Sequence, residues 1–190
     1  NTTAPNISPI LKKWGVGTSQ SAGFKGMSNA TVKSRDGGEL GRNLFAGNAN
    51  AVSAQLNNQY YSAVASNSMG EFIVVWGDTR LGNSDIYARR FDSSGNSIDN
   101  DIIIANGIGD QQSPCIAVNS RDEFVVAWMT NQAGNWDIYA RIFDHTGFAF
   151  TGQFMVNIGS GNQGVPAIAM DRQDNFIISW NDDRSGNYNI

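Results

Sequence analysis

The chain is poor in the residues on which most enzyme sites are built. Its 190 residues hold one cysteine, Cys115, and one histidine, His145. A single cysteine excludes an intrachain disulfide, and within the run Pro114-Cys115-Ile116-Ala117-Val118 it reads as a small buried hydrophobe. No Gly-rich elbow supports a Cys–His pair, and no phosphate-cradling glycine loop is followed by Lys. Glutamate occurs only at Glu39, Glu71 and Glu123, a thin supply for paired carboxylates in glycoside cleavage. Charged residues make up 16% of the chain, whereas long surface helices usually bring more Glu and Lys. Thirteen Lys and Arg stand against seventeen Asp and Glu, for a net charge of −4. The basic residues are scattered, with Lys12-Lys13 and Arg89-Arg90 the adjacent pairs, which argues against a nucleic-acid surface. No apolar run nears the roughly 18 residues of a membrane span.

What is abundant is glycine, at 21 residues, with many Asn and Ser. That is the profile of short strands joined by tight turns. A repeat organises them. Phe72-Ile73-Val74-Val75-Trp76, Phe124-Val125-Val126-Ala127-Trp128 and Phe176-Ile177-Ile178-Ser179-Trp180 recur every 52 residues without a gap. Gln59, Gln111 and Gln163 keep the same spacing, as do Asp85-Ile86-Tyr87 and Asp137-Ile138-Tyr139.

Each unit reads as four strands. The first is short and apolar (Cys115 to Val118). The second is the Phe-to-Trp run, apolar on both faces as a strand covered on both sides must be. Phe124, Val126 and Trp128 share one face; Val125 and Ala127 share the other. The third alternates Ile138, Ala140 and Ile142 against Tyr139, Arg141 and Phe143. The fourth is Ile102 to Ala105, or Phe154 to Asn157. Between third and fourth, Asp92-Ser93-Ser94-Gly95 and Asp144-His145-Thr146-Gly147 are turns begun by Asp and ended by a positive-φ Gly. An antiparallel four-stranded unit of this length, repeated, predicts an all-β fold of β-propeller-type blades, about three of them. A β-sandwich does not demand an ungapped period.

Residues 29–46 read as the third and fourth strands of a split blade: Ala30 to Gly38 resembles a third strand with its Asp-Gly turn, and Leu40 to Ala46 a fourth. The repeats follow at about 59–110, 111–162 and 163–190. Three blades are too few to close a ring, so the expectation is either a longer chain or a ring completed by other copies. Residues 1–28 lie outside the repeat, as an extended arm or as an interaction arm acting through Ile10, Leu11 and Trp14. The opening Asn1-Thr2-Thr3-Ala4-Pro5 reads as a processed terminus or an expression boundary. Asn1-Thr2-Thr3, Asn6-Ile7-Ser8 and Asn29-Ala30-Thr31 match the glycosylation pattern, which matters in a eukaryotic secretory setting.

Written out from Trp76 to Gly95, the unit is Trp-x-Asp-x-Arg-x-Gly-Asn-x-Asp-Ile-Tyr-Ala-Arg-x-Phe-Asp-x-x-Gly. It resembles repeats of bacterial secreted and surface proteins that look like propeller blades. The resemblance covers roughly residues 30–190 and implies an extracytoplasmic location. It is nearly silent on activity, since propellers host binders, scaffolds and enzymes alike. Sialidases are also propellers, but the turn at Ser66 to Phe72 lacks the Asp of their repeated motif, and its aromatic residue comes too late.

The most variable stretch of the unit follows the Trp, and loops held by a rigid scaffold are where ligand sites tend to form. Asp78 and Arg80 in the first copy, Trp136 in the second, and Asp182, Arg184 and Tyr188 in the third are the candidate ligand-binding residues. Arg, carboxylate and aromatic ring together suit a sugar or an acidic group. The plainer reading is a hairpin loop whose Arg packs on the Trp and pairs with the Asp. In copy two Asp78 and Arg80 become Thr130 and Gln132 together, as an interacting pair would. The oxygen-rich run Asp92 to Asp101 is a calcium candidate, although it lacks the EF-hand order and turn chemistry alone explains its Asp and Gly. The functional expectation is a secreted or surface module, non-enzymatic, binding a protein or glycan partner, as a subunit of a larger assembly or a homo-oligomer. The alternative is part of a glycoside-degrading enzyme of sialidase or glycosidase type.

Overall fold

The computed structural model describes Val52, residues 57–157, 159–171 and 173–190. The arm expected over residues 1–28 and the split blade expected over 29–46 lie outside the described residues. The rest is all β. Ten strands form three antiparallel sheets. The first sheet holds β1 (Gln59–Ser66), β2 (Phe72–Asp78), β3 (Asp85–Phe91) and β4 (Ile102–Ala105), adjacent in chain order. The second repeats that order with β5 (Gln111–Val118), β6 (Phe124–Thr130), β7 (Asp137–Phe143) and β8 (Phe154–Met155). The third pairs β9 (Gln163–Met170) with β10 (Phe176–Asp182), and an isolated bridge from Asp182 to Asn189 stands where β2–β3 pairing begins in the first sheet. Phe72, Phe124 and Phe176 therefore lie in three separate sheets. Among the described residues no helix is long and apolar enough to cross a membrane.

The doubly apolar second strand explains how the sheets stack. From β6, the side chains of Phe124, Val126 and Trp128 join Ile73, Val75, Ile86, Ala88 and Ile104 of the first sheet in one core. Val125 and Ala127 point the other way and pack, with Ala140, against Ile168, Met170 and Ile178 of the third sheet. One strand thus seals two interfaces, and its period of two divides the side chains between them. Phe124 and Phe143 stack within the first interface at 4.9 Å between ring centres. Successive sheets meet most closely along their first strands, β1 beside β5 and β5 beside β9.

Several strands differ in length from the sequence expectation, and the second strand runs two residues past the Trp, to Asp78, Thr130 and Asp182. The first strand begins at Gln111, four residues before the apolar run, because a bulge carries it on. Pairing with the second strand skips between Tyr60 and Ala63, between Gln112 and Cys115, and at the matching place in the third sheet. Tyr61, Ser113 and Val165 sit at these bulges with φ of 53°, 51° and 51°. The extra residue of a bulge escapes the ladder and often adopts such a conformation. The fourth strand of the second sheet is shorter than expected, two residues rather than four. Asn157 leaves the ladder there and turns its side chain to Ile138 N and the Asp137 carboxylate.

Turns repeat as faithfully as strands. Asn67, Asn119 and Asp171 each take two backbone N–H bonds on Oδ1, from residues two and four further on, at 2.8 to 3.0 Å. Asp92 and Asp144 cap the turn after the third strand in the same way. These are Asx turns, in which a short polar side chain stands in for a backbone acceptor.

Val165 is β-branched, 62% exposed and held at positive φ, a conformation costly for such a side chain. Val165→Asn removes little buried surface and places a residue that tolerates this region. It is expected to raise stability by about 1 kcal/mol, read as an increase in the urea midpoint with unchanged slope.

Candidate functional site

The loop after each second strand is built around the residue at position 78, 130 or 182. In the first sheet this is Asp78, fully buried. Its carboxylate accepts hydrogen bonds from Arg80 N at 2.8 Å and Trp76 Nε1 at 3.3 Å, and pairs with the Arg80 guanidinium at 2.5 Å. Arg80 reaches on to Asp101 at 2.6 Å, Arg89 also pairs with Asp101, and the Arg80 guanidinium lies 4.0 Å from the centre of the Tyr87 ring. The result is a chain of alternating charges, Asp78–Arg80–Asp101–Arg89, with Arg80 over Tyr87, whose ring stacks with Trp76 at 6.4 Å. Burial opposes ionisation of Asp78, but the Arg80 bonds, side chain and backbone, together with Trp76 hold its carboxyl below the usual value. Asp78 foremost, and Asp101 with it, raise the Arg80 pKa against the effect of burial.

In the third sheet Asp182 makes the same turn. It accepts from Arg184 N at 2.9 Å and pairs with Arg184 Nε at 2.7 Å. Here the pair is open: the Arg184 side chain is 53% exposed and Tyr188 71% exposed. Backbone and side-chain bonds from Arg184 lower the Asp182 carboxyl. In the second sheet Thr130 replaces the acid, and its hydroxyl accepts weakly from Gln132 N at 3.3 Å. Trp128 Nε1, whose counterpart donates to Asp78, is buried and bonds to no group among the described residues, and the same holds for Gln111 Oε1. The joint change from Asp-Arg to Thr-Gln therefore removes the acceptor of a wholly buried tryptophan.

The six candidate residues do not gather at one point. Asp78 and Arg80 are tied into the first sheet, and Asp182 and Arg184 into the third. Trp136, half-buried, belongs to a different structure: its N–H donates to Asn162 Oδ1 at 3.2 Å and its carbonyl accepts from Gln163 N at 2.7 Å.

That structure is a polar clasp between sheets, and it accounts for most of the Gly-Asn-x-Asp signature. Asn83 Nδ2 donates to the carbonyls of Gly107 and Gly109, on the connection leading to the second sheet. Gln111 N donates to Ser84 O at 2.7 Å, and Ser84 N to Asp110 Oδ1 at 3.0 Å. From the far side Asn131 Oδ1 accepts from Asp110 N at 2.7 Å. One repeat on, Asn135 holds Gly161, and Asp183 Oδ1 accepts from Asn162 N at 2.6 Å. Gly109 and Gly161, at φ of 77° and 86°, lie so close to Asn131 Oδ1 and Asp183 Oδ1 that a Cβ would collide with them. Asp85, almost wholly buried, sits within this clasp near Asp78 and Asp110; burial raises its carboxyl, against the bonds from Gly107 N and Asn83.

The other candidate groups have local tasks. In the calcium candidate run Asp92 caps its turn, Asp99 pairs with Arg90 at 2.6 Å, and Asp101 is taken by Arg80 and Arg89. Among the described residues no group of three His, Cys, Asp or Glu side chains is arranged to hold a metal ion. Cys115 packs in the second interface, and burial pushes its thiol up to about 12. His145 lies exposed in its turn, beside a shallow hollow that Glu71, Arg90 and Asp122 also line. Glu71 and Glu123 are bonded by Asn67 and Asn119 at equivalent hairpins.

No family model and no curated protein matches the chain. In structure it is similar to the endo-arabinase of Bacteroides thetaiotaomicron VPI-5482, a propeller-type protein, at 12% sequence identity and a TM-score of 0.50. The similarity covers 80% of this chain and 59% of that one. At this identity the likeness concerns the fold, which is all-β with antiparallel four-stranded sheets.

Two measurements probe this chemistry. Installing both partners, as in the Thr130→Asp/Gln132→Arg double variant, is expected to return an acceptor to Trp128 and raise the melting temperature above wild type. Thr130→Asp alone buries an uncompensated acid and is expected to lower it, with a coupling of about 1–3 kcal/mol in the double-mutant cycle. The acid side follows from Asp78, Asp92, Asp144, Asp171 and Asp182, all with lowered carboxyls in the folded chain. The unfolded chain then takes up protons first, near its ordinary value of about 3.9. Their stabilisation is complete above that value and lost as pH falls through it toward the folded values. Urea midpoints measured from pH 7 to pH 3 are expected to drop below about pH 4, and Asp78→Asn to flatten that drop while lowering the midpoint at pH 7.

Proposed function

We propose that the chain is a non-enzymatic binding and structural module of propeller type, acting outside the cytoplasm. Its occupant is a protein or glycan, bound at the loop that follows the second strand. One observation carries the reading: the acids repeated with the unit are already committed. Asp78 holds Arg80 and Trp76, Asp92 and Asp144 cap turns, and Asp137 bonds Asn135 and Asn157. General acid–base work needs a carboxyl within reach of substrate and free to exchange a proton, and these are engaged with the chain's own groups. The exposed pair Arg184 and Tyr188, with Asp182 behind, presents the cation and ring that grip a sugar face or an acidic group. The Asn-, Ser- and Gly-rich, Lys-poor composition suits an extracytoplasmic surface, and the module is a natural part of a larger assembly.

The competing reading is a portion of a glycoside-degrading enzyme, the class to which the structurally similar endo-arabinase belongs. Incubation with synthetic glycosides and linear arabinan is expected to give no turnover. Binding to an oligosaccharide or protein array is expected to weaken at least tenfold in Arg184→Ala and Tyr188→Ala, about 1.4 kcal/mol, with the melting temperature unchanged in Tyr188→Ala. Turnover abolished by Asp78→Asn or Asp182→Asn would replace the binding module with the enzyme.

A further inference from the structure

Two polar atoms of the second sheet differ from their counterparts in the repeat. Trp128 is wholly buried, and Gln111 is 2% exposed. Neither Trp128 Nε1 nor Gln111 Oε1 bonds to a group among the described residues. The orientation of the Gln111 amide is fixed by its other end. Nε2 donates to the carbonyls of Ile108 at 3.2 Å and Gly109 at 3.0 Å, so the remaining atom is the oxygen. One of the two atoms is therefore a buried donor and the other a buried acceptor.

The neighbouring copies of the unit show what each atom has lost. In the first sheet the same indole, on Trp76, donates to Asp78 Oδ2 at 3.3 Å, and Thr130 stands in the place of that acid. At the start of the third sheet Gln163 Oε1 accepts from Asn157 Nδ2 at 2.7 Å. Asn157 follows the last strand of the second sheet, and 52 residues earlier, at the end of β4, the residue is Ala105. One substitution takes the acceptor from the indole; the other takes the donor from the amide. Both act at one place. Gln111 Nε2 lies 3.5 Å from Thr130 Oγ1, and Ala105 and Trp128 share the core between the first and second sheets.

We propose that this place holds one water molecule, which accepts from Trp128 Nε1 and the Thr130 hydroxyl and donates to Gln111 Oε1. A buried polar atom left without a partner costs stability, and the pairing of donor with acceptor selects the species that relieves both. An anion would serve the indole and repel the amide oxygen. A metal ion or an ammonium group would do the reverse. Thr130 and Gln132 also replace Asp78 and Arg80 together, so the place keeps no charge of its own to offset the cost of burying an ion. Water gives and takes, and internal waters commonly make about three bonds to buried groups of this kind. Ala105 where the next unit has Asn leaves out a carboxamide, a group larger than a water. The water completes in the second sheet what Asp78 completes in the first and Asn157 completes for Gln163. The inference is independent of the ligand reading above.

The test is direct observation in the full chain. In a high-resolution crystal structure, density for one oxygen is expected within about 2.7–3.2 Å of both Trp128 Nε1 and Gln111 Oε1. In solution, the Trp128 indole proton is expected to show a rotating-frame Overhauser cross-peak to water, with the sign of dipolar contact rather than of exchange. Ala105→Asn restores the carboxamide that serves Gln163, and both the density and the cross-peak are expected to be lost. Where that variant does not fold, Thr130→Asp/Gln132→Arg approaches from the indole side and is expected to lose them too. An indole proton of the wild type without a dipolar cross-peak to water overturns the proposal. So do a side chain from any part of the chain bonded to Trp128 Nε1, an ion at this place, and a water that persists unchanged in the variants.

Discussion

The structure depends on one constraint: a strand in the middle of this stack has no side that faces water. Burying a Val, Ile or Phe side chain contributes roughly 1.5–3 kcal/mol, and β6 buries such side chains on both faces. A small four-stranded sheet alone cannot do this, since one face would stay wet. Stacking provides the second cover, and it explains why the unit is repeated. Each copy supplies the rear wall of one interface and the forward wall of the next.

The polar signature serves the same end by different means. Sheets that pack face to face through aliphatic side chains can slide, because the hydrophobic effect has no direction. The clasp removes that freedom. Asn83 and Ser84 hold the connection to the second sheet from one side while Asn131 holds it from the other, and Asn135, Asn162 and Asp183 repeat the grip one unit later. These groups are mutually satisfied, which lets a polar network sit beside a core without destabilising it. Residue types that look like a ligand site in the sequence are here mostly the fastening between layers. Among the described candidate residues, what the scaffold leaves facing solvent is the Arg184 and Tyr188 loop.

Much of the architecture was legible in the residues. The division of Phe124, Val126 and Trp128 from Val125 and Ala127 follows from a period of two, and the two cores divide the same way. The Asp92 and Asp144 turns were readable because Asp at the start and Gly at the end have a local chemistry that needs no tertiary context. The bulges were not readable. Tyr61, Ser113 and Val165 are three unlike residue types in a conformation for which glycine would have been the signal. The clasp was half visible: the regular recurrence of Gly-Asn-x-Asp was plain, but its partners lie on a connection some 26 residues away, joined by carbonyls that no side-chain pattern reports.

For the candidate site the division is sharper. The chain's order of residues was sufficient to pair Asp78 with Arg80 and to single out their joint replacement by Thr130 and Gln132, because residues two apart in a tight turn meet whatever surrounds them. Only the folded chain decided that Asp101 and Arg89 extend the pair, that the Trp136 backbone is tied to Asn162 and Gln163, and that Ile177 stands in water where Val125 does not. Those outcomes depend on which surfaces meet across 20 to 50 residues of chain. Local chemistry is written at the position where it acts; contact between layers is settled by how the layers come to rest on one another.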